Sequence, residues 1–468
     1  MKIKYILILI ALLLSVSNCA IKDDLNVPES VQVNNFVWKG LNLYYLWQAD
    51  VTNLDDNRFE NQSQLNDFLS GYSDPKVLFN SLRVDATIDR FSVIFNDYDA
   101  LEGILSGNTL NNGVDYGLKY KSGSTTDIFG WVRYIIPNSD ASTKNINRGA
   151  IFYAVDGIPL TSSNYKSLLA NTIYTLNFAD YDNGLITPNG LSIQVTKSNL
   201  SENPVLISNV INQGSHKVGY VMYNGFFSGF ETQLNDAFAQ LKAQQVSDLV
   251  LDLRYNSGGS IATATRLASM ITGQFQGQIF AKEQWNSKLQ AYWNTTNPSQ
   301  LTDVFTNVLG NGASISSLNL TKIYILTSKS TASASELVIN GLKPYINVIQ
   351  IGDVTIGKNV GSITLYDSPN FAREGRSTKH KYAMQPIVLK TQNKADFGDY
   401  QNGLQPNYLL VEDLGNLGIL GNSNEPLLQK ALQIIGVNKT SNNYKNLKTF
   451  IDVQCHDALE SEMYKEIK

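Results

Sequence analysis

Histidine and cysteine are nearly missing from this chain of 468 residues: three histidines (His216, His380, His456) and two cysteines (Cys19, Cys455). So small a supply leaves no His/Cys zinc site with workable spacing and no disulfide framework, and no cofactor is expected. An excess of charge of one sign is missing too. Lys and Arg total 37 against 41 Asp and Glu, a formal net charge of −4 without a basic block, so the electrostatics give no case for nucleic acid. Beyond the N-terminus no apolar run is long enough to span a bilayer. There is no internal repeat and no Gly-x-Ser-x-Gly nucleophile elbow. What remains, 43% hydrophobic and 17% charged, is a foldable chain of roughly two to four domains.

The N-terminus reads as an export signal over residues 1–18: Lys2 and Lys4, an apolar run over 5–14, then Val16-Ser-Asn-Cys19. Its apolar core is short for a transmembrane helix, so a cleaved signal is expected. The residues before Cys19 resemble a bacterial lipoprotein cleavage site, in which Cys19 becomes the lipidated first residue; an ordinary signal peptide with an incidental cysteine is the alternative. Lys22-Asp-Asp24 resembles the acidic sorting signal of some surface-exposed lipoproteins. The expected location is the bacterial cell envelope, with a lipid anchor on Cys19 and a linker over 19–30.

Composition divides the rest. Residues 31–105 read as a small helical domain: Val37, Leu41 and Tyr44/Tyr45 recur at helical spacing, and the aromatics Trp38 and Trp47 read as its packing rather than as a binding surface. Residues 106–200 change to short alternating strands, 116–120, 131–136 and 191–195. Residues 205–440 alternate strand and helix: a strand at 218–223, a capping box Ser228-Gly-Phe-Glu231 opening a helix, a near-continuous apolar strand at 248–253, a glycine turn and a helix at 261–271. Strands at 322–327 and 346–351 and a helix at 424–435 follow. Residues 274–318 read as a polar insertion and 441–468 as a polar tail, neither with a function.

Three stretches can carry chemistry. Gly352-Asp-Val-Thr-Ile-Gly-Lys358 has the glycine and lysine spacing of a P-loop, but Asn359 replaces the hydroxyl residue and 360–366 alternate like a strand, so phosphate binding is rejected. A Ser-His-Asp triad would have to use His380, which reads better as a surface residue. The third is Lys329-Ser-Thr-Ala-Ser-Ala-Ser-Glu336, followed 25 residues after Ser333 by Lys358 in a glycine-flanked turn. Alone, Ser333-Ala-Ser-Glu336 is a capping box. The distant Asp252-Leu-Arg-Tyr-Asn-Ser-Gly-Gly259 adds a glycine turn between a buried strand and a helix, able to aim N–H donors at one point as an oxyanion hole does.

Those motifs, in that order, resemble the C-terminal processing (tail-specific) serine peptidases. The stretch Arg148-Gly-Ala-Ile-Phe-Tyr-Ala-Val-Asp-Gly157 with Tyr116-Gly-Leu118 is similar to PDZ domains. The resemblance implies an α/β (α+β multi-domain) chain: a helical N-terminal domain, a PDZ-like β domain and a mixed α/β ClpP/crotonase-like peptidase core. It implies Ser333 as nucleophile, Lys358 as general base, and an oxyanion hole from Ala334 and Gly258 or Gly259. Ser362 stands where many members carry a lysine-orienting glutamine. Tyr116, Gly117 and Leu118 would receive an unfolded or C-terminally exposed protein or peptide, by strand addition to a sheet edge; Asp115 beside them would oppose its carboxylate. Free lysine has a pKa of about 10.4 and must be neutral to accept a proton, which takes about 4 kcal/mol of differential interaction and argues against a carboxylate paired with Lys358. The other reading is a peptide- or ligand-binding protein on the same scaffold, without turnover.

Overall fold

The computed structural model describes residues 27–213, 215–436, 450–453 and 463–466. The signal segment 1–18, Cys19 and His456 lie outside them. The described residues form two compact units: those up to 98, with 285–292 and 363–388, make one, and those of 99–284, 293–362 and from 389 onward the other.

In the first unit the helix Gln32–Tyr44 buries Phe36, Val37 and Leu41 on one face, as the 3–4 spacing predicts. The helix Gln62–Ser70 starts at Asn61, whose side chain accepts the Gln64 N–H, and Pro75–Ser81 starts at Asp74 with proline in its first turn. Asn34 ties the helices together by donating to the Leu69 and Tyr72 carbonyls at 3.1 and 2.8 Å. Trp38 donates to the Asn53 carbonyl at 2.7 Å and stacks edge-on with Phe59, a packing role. A small antiparallel sheet of Val93–Phe95, Ala383–Gln385 and Leu365–Tyr366 completes the unit. His380 is half-buried here rather than on the surface, 2.9 Å from Asp367.

The second unit holds a β region and a mixed α/β core. In the β region an antiparallel sheet runs in the order Val114–Tyr120, Ile128–Ile135, Ile151–Val155, Ile173–Asp182, Leu185–Thr196. Leu118, Val132, Phe152, Leu169 and Leu176 pack in its interior, with the helix Tyr165–Ala170 against them. In the core a six-stranded sheet runs Val205–Gln213, His216–Tyr223, Asp248–Asp252, Lys322–Thr327, Asn347–Gly352, Tyr408–Leu409, parallel from the second strand onward. Its central strands are buried on both faces, which is why 248–253 reads as an unbroken apolar run.

Two local expectations change. The capping box at Ser228 does not form: 228–230 is a 3-10 turn and Phe230 precedes the helix Glu231–Ala243 without a side-chain cap. Glu231 is drawn instead to Arg266, to the Thr263 hydroxyl at 2.9 Å and to the Gly310 N–H at 3.0 Å. A buried carboxylate takes a cation and two donors over one exposed cap. The run 360–366 is two short strands in different sheets, Val360–Ser362 and Leu365–Tyr366. Residues 274–318 carry the strand Ile279–Trp285, the helix Ser287–Thr296 and the strand Thr302–Val304.

Candidate active site

Ser333 is the N-cap of the helix Ala334–Leu342, at the end of a loop that leaves the strand Lys322–Thr327. Its backbone has φ of +65° and ψ of −119°, unusual for a residue with a Cβ. Such conformations cost on the order of 1–3 kcal/mol and persist only where surroundings impose them. The side chain is fully buried and its Oγ has no hydrogen-bond partner. An unsatisfied buried hydroxyl costs a further 1–3 kcal/mol, roughly. Ser333 and Glu336 form the capping box expected from the sequence, with Glu336 accepting the Ser333 N–H, but a cap does not call for a positive φ.

Glu336 imposes the geometry. One carboxylate oxygen, Oε2, accepts the Ser333 N–H at 2.7 Å and the Lys358 N–H at 2.8 Å; Oε1 accepts the Gly357 N–H at 2.7 Å and the Thr355 hydroxyl. Burial pushes the Glu336 carboxyl up, and the Thr355 hydroxyl and these three N–H groups pull it back. One buried side chain thus fastens the turn of Ser333 to the turn of Lys358. Lys358 is 1% exposed. The strand Val360–Ser362 follows it, not the helix that a phosphate site needs.

The turn 252–259 is fixed from below. Arg254, fully buried, meets Asp252 at 2.8 Å, Glu425 at 2.6 Å and Glu412 at 3.0 Å. Burial alone would push Glu412 up, but the Arg254 and Arg148 guanidiniums and the Tyr255 hydroxyl hold its carboxyl at about 2. Asn256 accepts the Gly258 N–H on Oδ1 at 2.9 Å, and its carbonyl receives the Ala332 N–H and the Ser335 hydroxyl, both at 3.1 Å. The Gly258 N–H is therefore spent inside the turn. Gly259 has φ of +135°, and a Cβ there would lie 2.5 Å from the Phe226 carbonyl oxygen, so only glycine fits. Ala334 opens its helix, where an N–H has no intrahelical acceptor.

Ser362, fully buried, donates its hydroxyl to the Met463 carbonyl at 3.2 Å. Tyr116, Gly117 and Leu118 lie on the edge strand Val114–Tyr120, away from Ser333 in sequence but in the same unit. That edge is taken by the chain itself: Tyr120 N–H donates to the Ile451 carbonyl at 2.9 Å, Val453 N–H to the Leu118 carbonyl at 3.0 Å, and Lys119 pairs with Asp452. Asp115 is pushed up by burial and pulled back by Arg133, so it is paired rather than facing a carboxylate. From this β region Arg133 reaches the Ser330 hydroxyl at 2.9 Å, and Arg148 reaches Tyr255 and Glu412 at 2.6 Å each. The joining of Arg148 and Arg254 through Glu412 and Glu425 escapes sequence reasoning: the two arginines lie in motifs of the sequence, but both carboxylates arrive from beyond residue 400.

The fold is that of a mixed α/β chain with a helical N-terminal region, and it positions a strained, unpartnered serine on a helix start. The sequence matches the family described as Peptidase family S41 over residues 217–371 and the Peptidase S41 N-terminal domain over residues 32–93. Over these two stretches the chain is similar to the S41 peptidases. It is similar to the chloroplastic C-terminal processing peptidase of Tetradesmus obliquus, 24% identical over 53% of this chain and 51% of that protein. It is also similar to the carboxyl-terminal-processing protease of Picosynechococcus, 22% identical over 52% and 51%. The chain spans about half the length of these curated relatives. A solved S41-type protease structure from Bacteroides fragilis superimposes with a TM-score of 0.66 at 25% identity, covering 86% of this chain and 98% of that one.

Proposed function

We propose that this chain is an exported serine endopeptidase in which Ser333 is the nucleophile and Lys358 the general base. The observation that carries the reading is Ser333: a buried hydroxyl without a partner, on strained backbone, tied through Glu336 to the turn of Lys358. In the reaction the neutral Lys358 amine takes the Ser333 proton as Oγ bonds to a peptide carbonyl carbon. The resulting oxyanion is received by the N–H groups of Gly259 and Ala334. Collapse breaks the C–N bond, and Lys358 returns its proton to the leaving amine. Water then attacks the acyl ester, Lys358 taking its proton, and Ser333 is released. The β region over 106–200 acts as a PDZ-like domain, whose edge strand, with Tyr116, Gly117 and Leu118, receives an extended peptide when residues 451–453 leave it. Export and a lipid anchor on Cys19 complete the proposal, placing the protein in the bacterial cell envelope. Among the described residues no helix is long and apolar enough to cross a membrane.

A fluorophosphonate probe tests the chemistry. Wild type is labelled, Ser333→Ala is not, and Lys358→Ala stays folded but fails to cleave an unfolded protein. Equal behaviour of wild type and Ser333→Ala toward probe and substrate would remove the peptidase. Mass spectrometry of the mature N-terminus tests for acylated Cys19. A second reading, a peptide binder without turnover, is favoured by Ser362, whose hydroxyl is committed to the Met463 carbonyl.

A further inference from the structure

The segment 463–466 lies in an unusual place. Met463–Tyr464 is a strand between two others and parallel to both: Gly259–Ser260 on one side, with Met463 opposite Gly259 and Tyr464 opposite Ser260, and Val360–Ser362 on the other, with Tyr464 opposite Ser362. One neighbour contains the proposed oxyanion donor; the other begins two residues after the proposed base. Paired strands lie about 4.8 Å apart, so a strand here runs directly beside the reacting groups.

The segment is held by its side chains as well. Met463 and Tyr464 are buried, and the Tyr464 hydroxyl donates to the Leu105 carbonyl at 3.3 Å. The Lys465 N–H donates to the Ser362 carbonyl at 2.9 Å. The Lys465 ammonium meets both oxygens of Glu283 at 2.7 Å and the Gln300 carbonyl at 2.8 Å. The Glu283 side chain is fully buried, and burial and neighbouring Asp303 push its carboxyl up while Lys465 pulls it back. Asp303 Oδ2 is buried without a hydrogen-bond partner. The buried Glu283 carboxyl with half-buried Asp303 beside it favours a cationic occupant, since a buried charge without a partner is costly. The other peptide-receiving place of the proposal, the edge strand Val114–Tyr120, is likewise filled by residues 451–453 of the same chain.

Resting on the Ser333–Lys358 reading, we infer that the slot between Gly259–Ser260 and Val360–Ser362 is a strand-binding subsite for substrate. It takes a large apolar, an aromatic and a basic residue in succession, Glu283 and Asp303 selecting the basic one, and the chain's own Met463-Tyr464-Lys465 occupies it as a resident pseudosubstrate. Backbone pairing supplies affinity for any extended peptide; the buried surroundings of Met463 and Tyr464 and the acidic pair supply the choice of sequence.

The test uses the full chain, Lys465→Ala, and a fluorescent decapeptide with the sequence of residues 459–468. Lys465→Ala loosens the resident segment, so it binds the decapeptide, and is labelled at Ser333 by fluorophosphonate, about tenfold more readily than wild type; added unlabelled decapeptide reverses the labelling gain. A decapeptide with glutamate at the position of Lys465 binds at least about tenfold more weakly, and Glu283→Gln narrows that difference. Lys465→Met, which keeps the apolar stem, replaces the alanine variant if the latter's melting temperature falls. Equal binding of the lysine and glutamate peptides, or variants that melt early and label no faster, would overturn the slot. Binding with the stated preference but no labelling of Ser333 in any variant leaves the slot standing and removes the peptidase instead.

Discussion

Replacing Glu336 by glutamine tests the claim that one carboxylate holds the turns of Ser333 and Lys358 in register. Glu336 receives four donors, two on each oxygen: the Ser333 and Lys358 N–H groups on Oε2, and the Gly357 N–H and Thr355 hydroxyl on Oε1. Glutamine keeps the shape but turns one oxygen into NH2, which faces two donors as a third. Whichever way the amide is placed, two donors lose their acceptor, at about 1.5–3 kcal/mol each, and the other two keep only a neutral one, so the local cost is at least about 3–6 kcal/mol. That cost falls on two turns rather than on the whole chain, so hydrogen exchange read by mass spectrometry is the assay. The amides of Ser333 and Lys358, or that of Gly357, should exchange about a hundredfold to ten-thousandfold faster in Glu336→Gln, with helix Pro426–Ile435 unchanged. Fluorophosphonate labelling of Ser333 should fall with them, because the strained backbone loses its restraint. Unchanged exchange at these amides together with unchanged labelling would refute the reasoning.

Three further outcomes follow from the same geometry. Ser333→Ala removes an unpartnered buried hydroxyl, and Ser333→Gly also relieves a positive φ. Each should melt at or above the wild-type temperature, by up to about 1–2 kcal/mol, while abolishing labelling; clear destabilisation by either contradicts the strain argument. Arg254→Met leaves the carboxylates of Asp252, Glu412 and Glu425 without their shared cation. It should lose about 3–5 kcal/mol in urea unfolding together with labelling. Glu412, held at about 2 against an ordinary 4.5, contributes about 3 kcal/mol that is complete above pH 4.5 and lost as pH falls from there toward 2. Glu412→Gln should flatten that acid limb in melting temperatures measured against pH.

The alternating strands and helices of the core were legible because buried parallel strands and amphipathic helices leave long signals, as in 248–253 and 424–435. The proposed pairing of Ser333 with Lys358 rests on motif order, and the glycine need at 259 on its turn. What escaped were interactions with weak local signatures. Glu336 has a sufficient local explanation as a helix-start residue, which hides its bonds to residues 355–358. Glu231 looked like a cap and is a buried ion-pair partner. The strand Met463–Tyr464 is two residues long and shows no periodicity, so a polar tail was the natural reading; only pairing on both sides makes it a strand.

The anchoring of Arg254 has a consequence for synthesis. Its bidentate partner Glu425 lies 171 residues downstream and Glu412 lies 158. A ribosome has therefore translated nearly the whole core before the turn 252–259 can be pinned. A nascent chain carries Ser333 and Lys358 long before it carries the carboxylates that hold Arg254, so chain order itself delays competence. Under the proposed reading, such long-range closure makes the last core segments a checkpoint on when Ser333 and Lys358 can act.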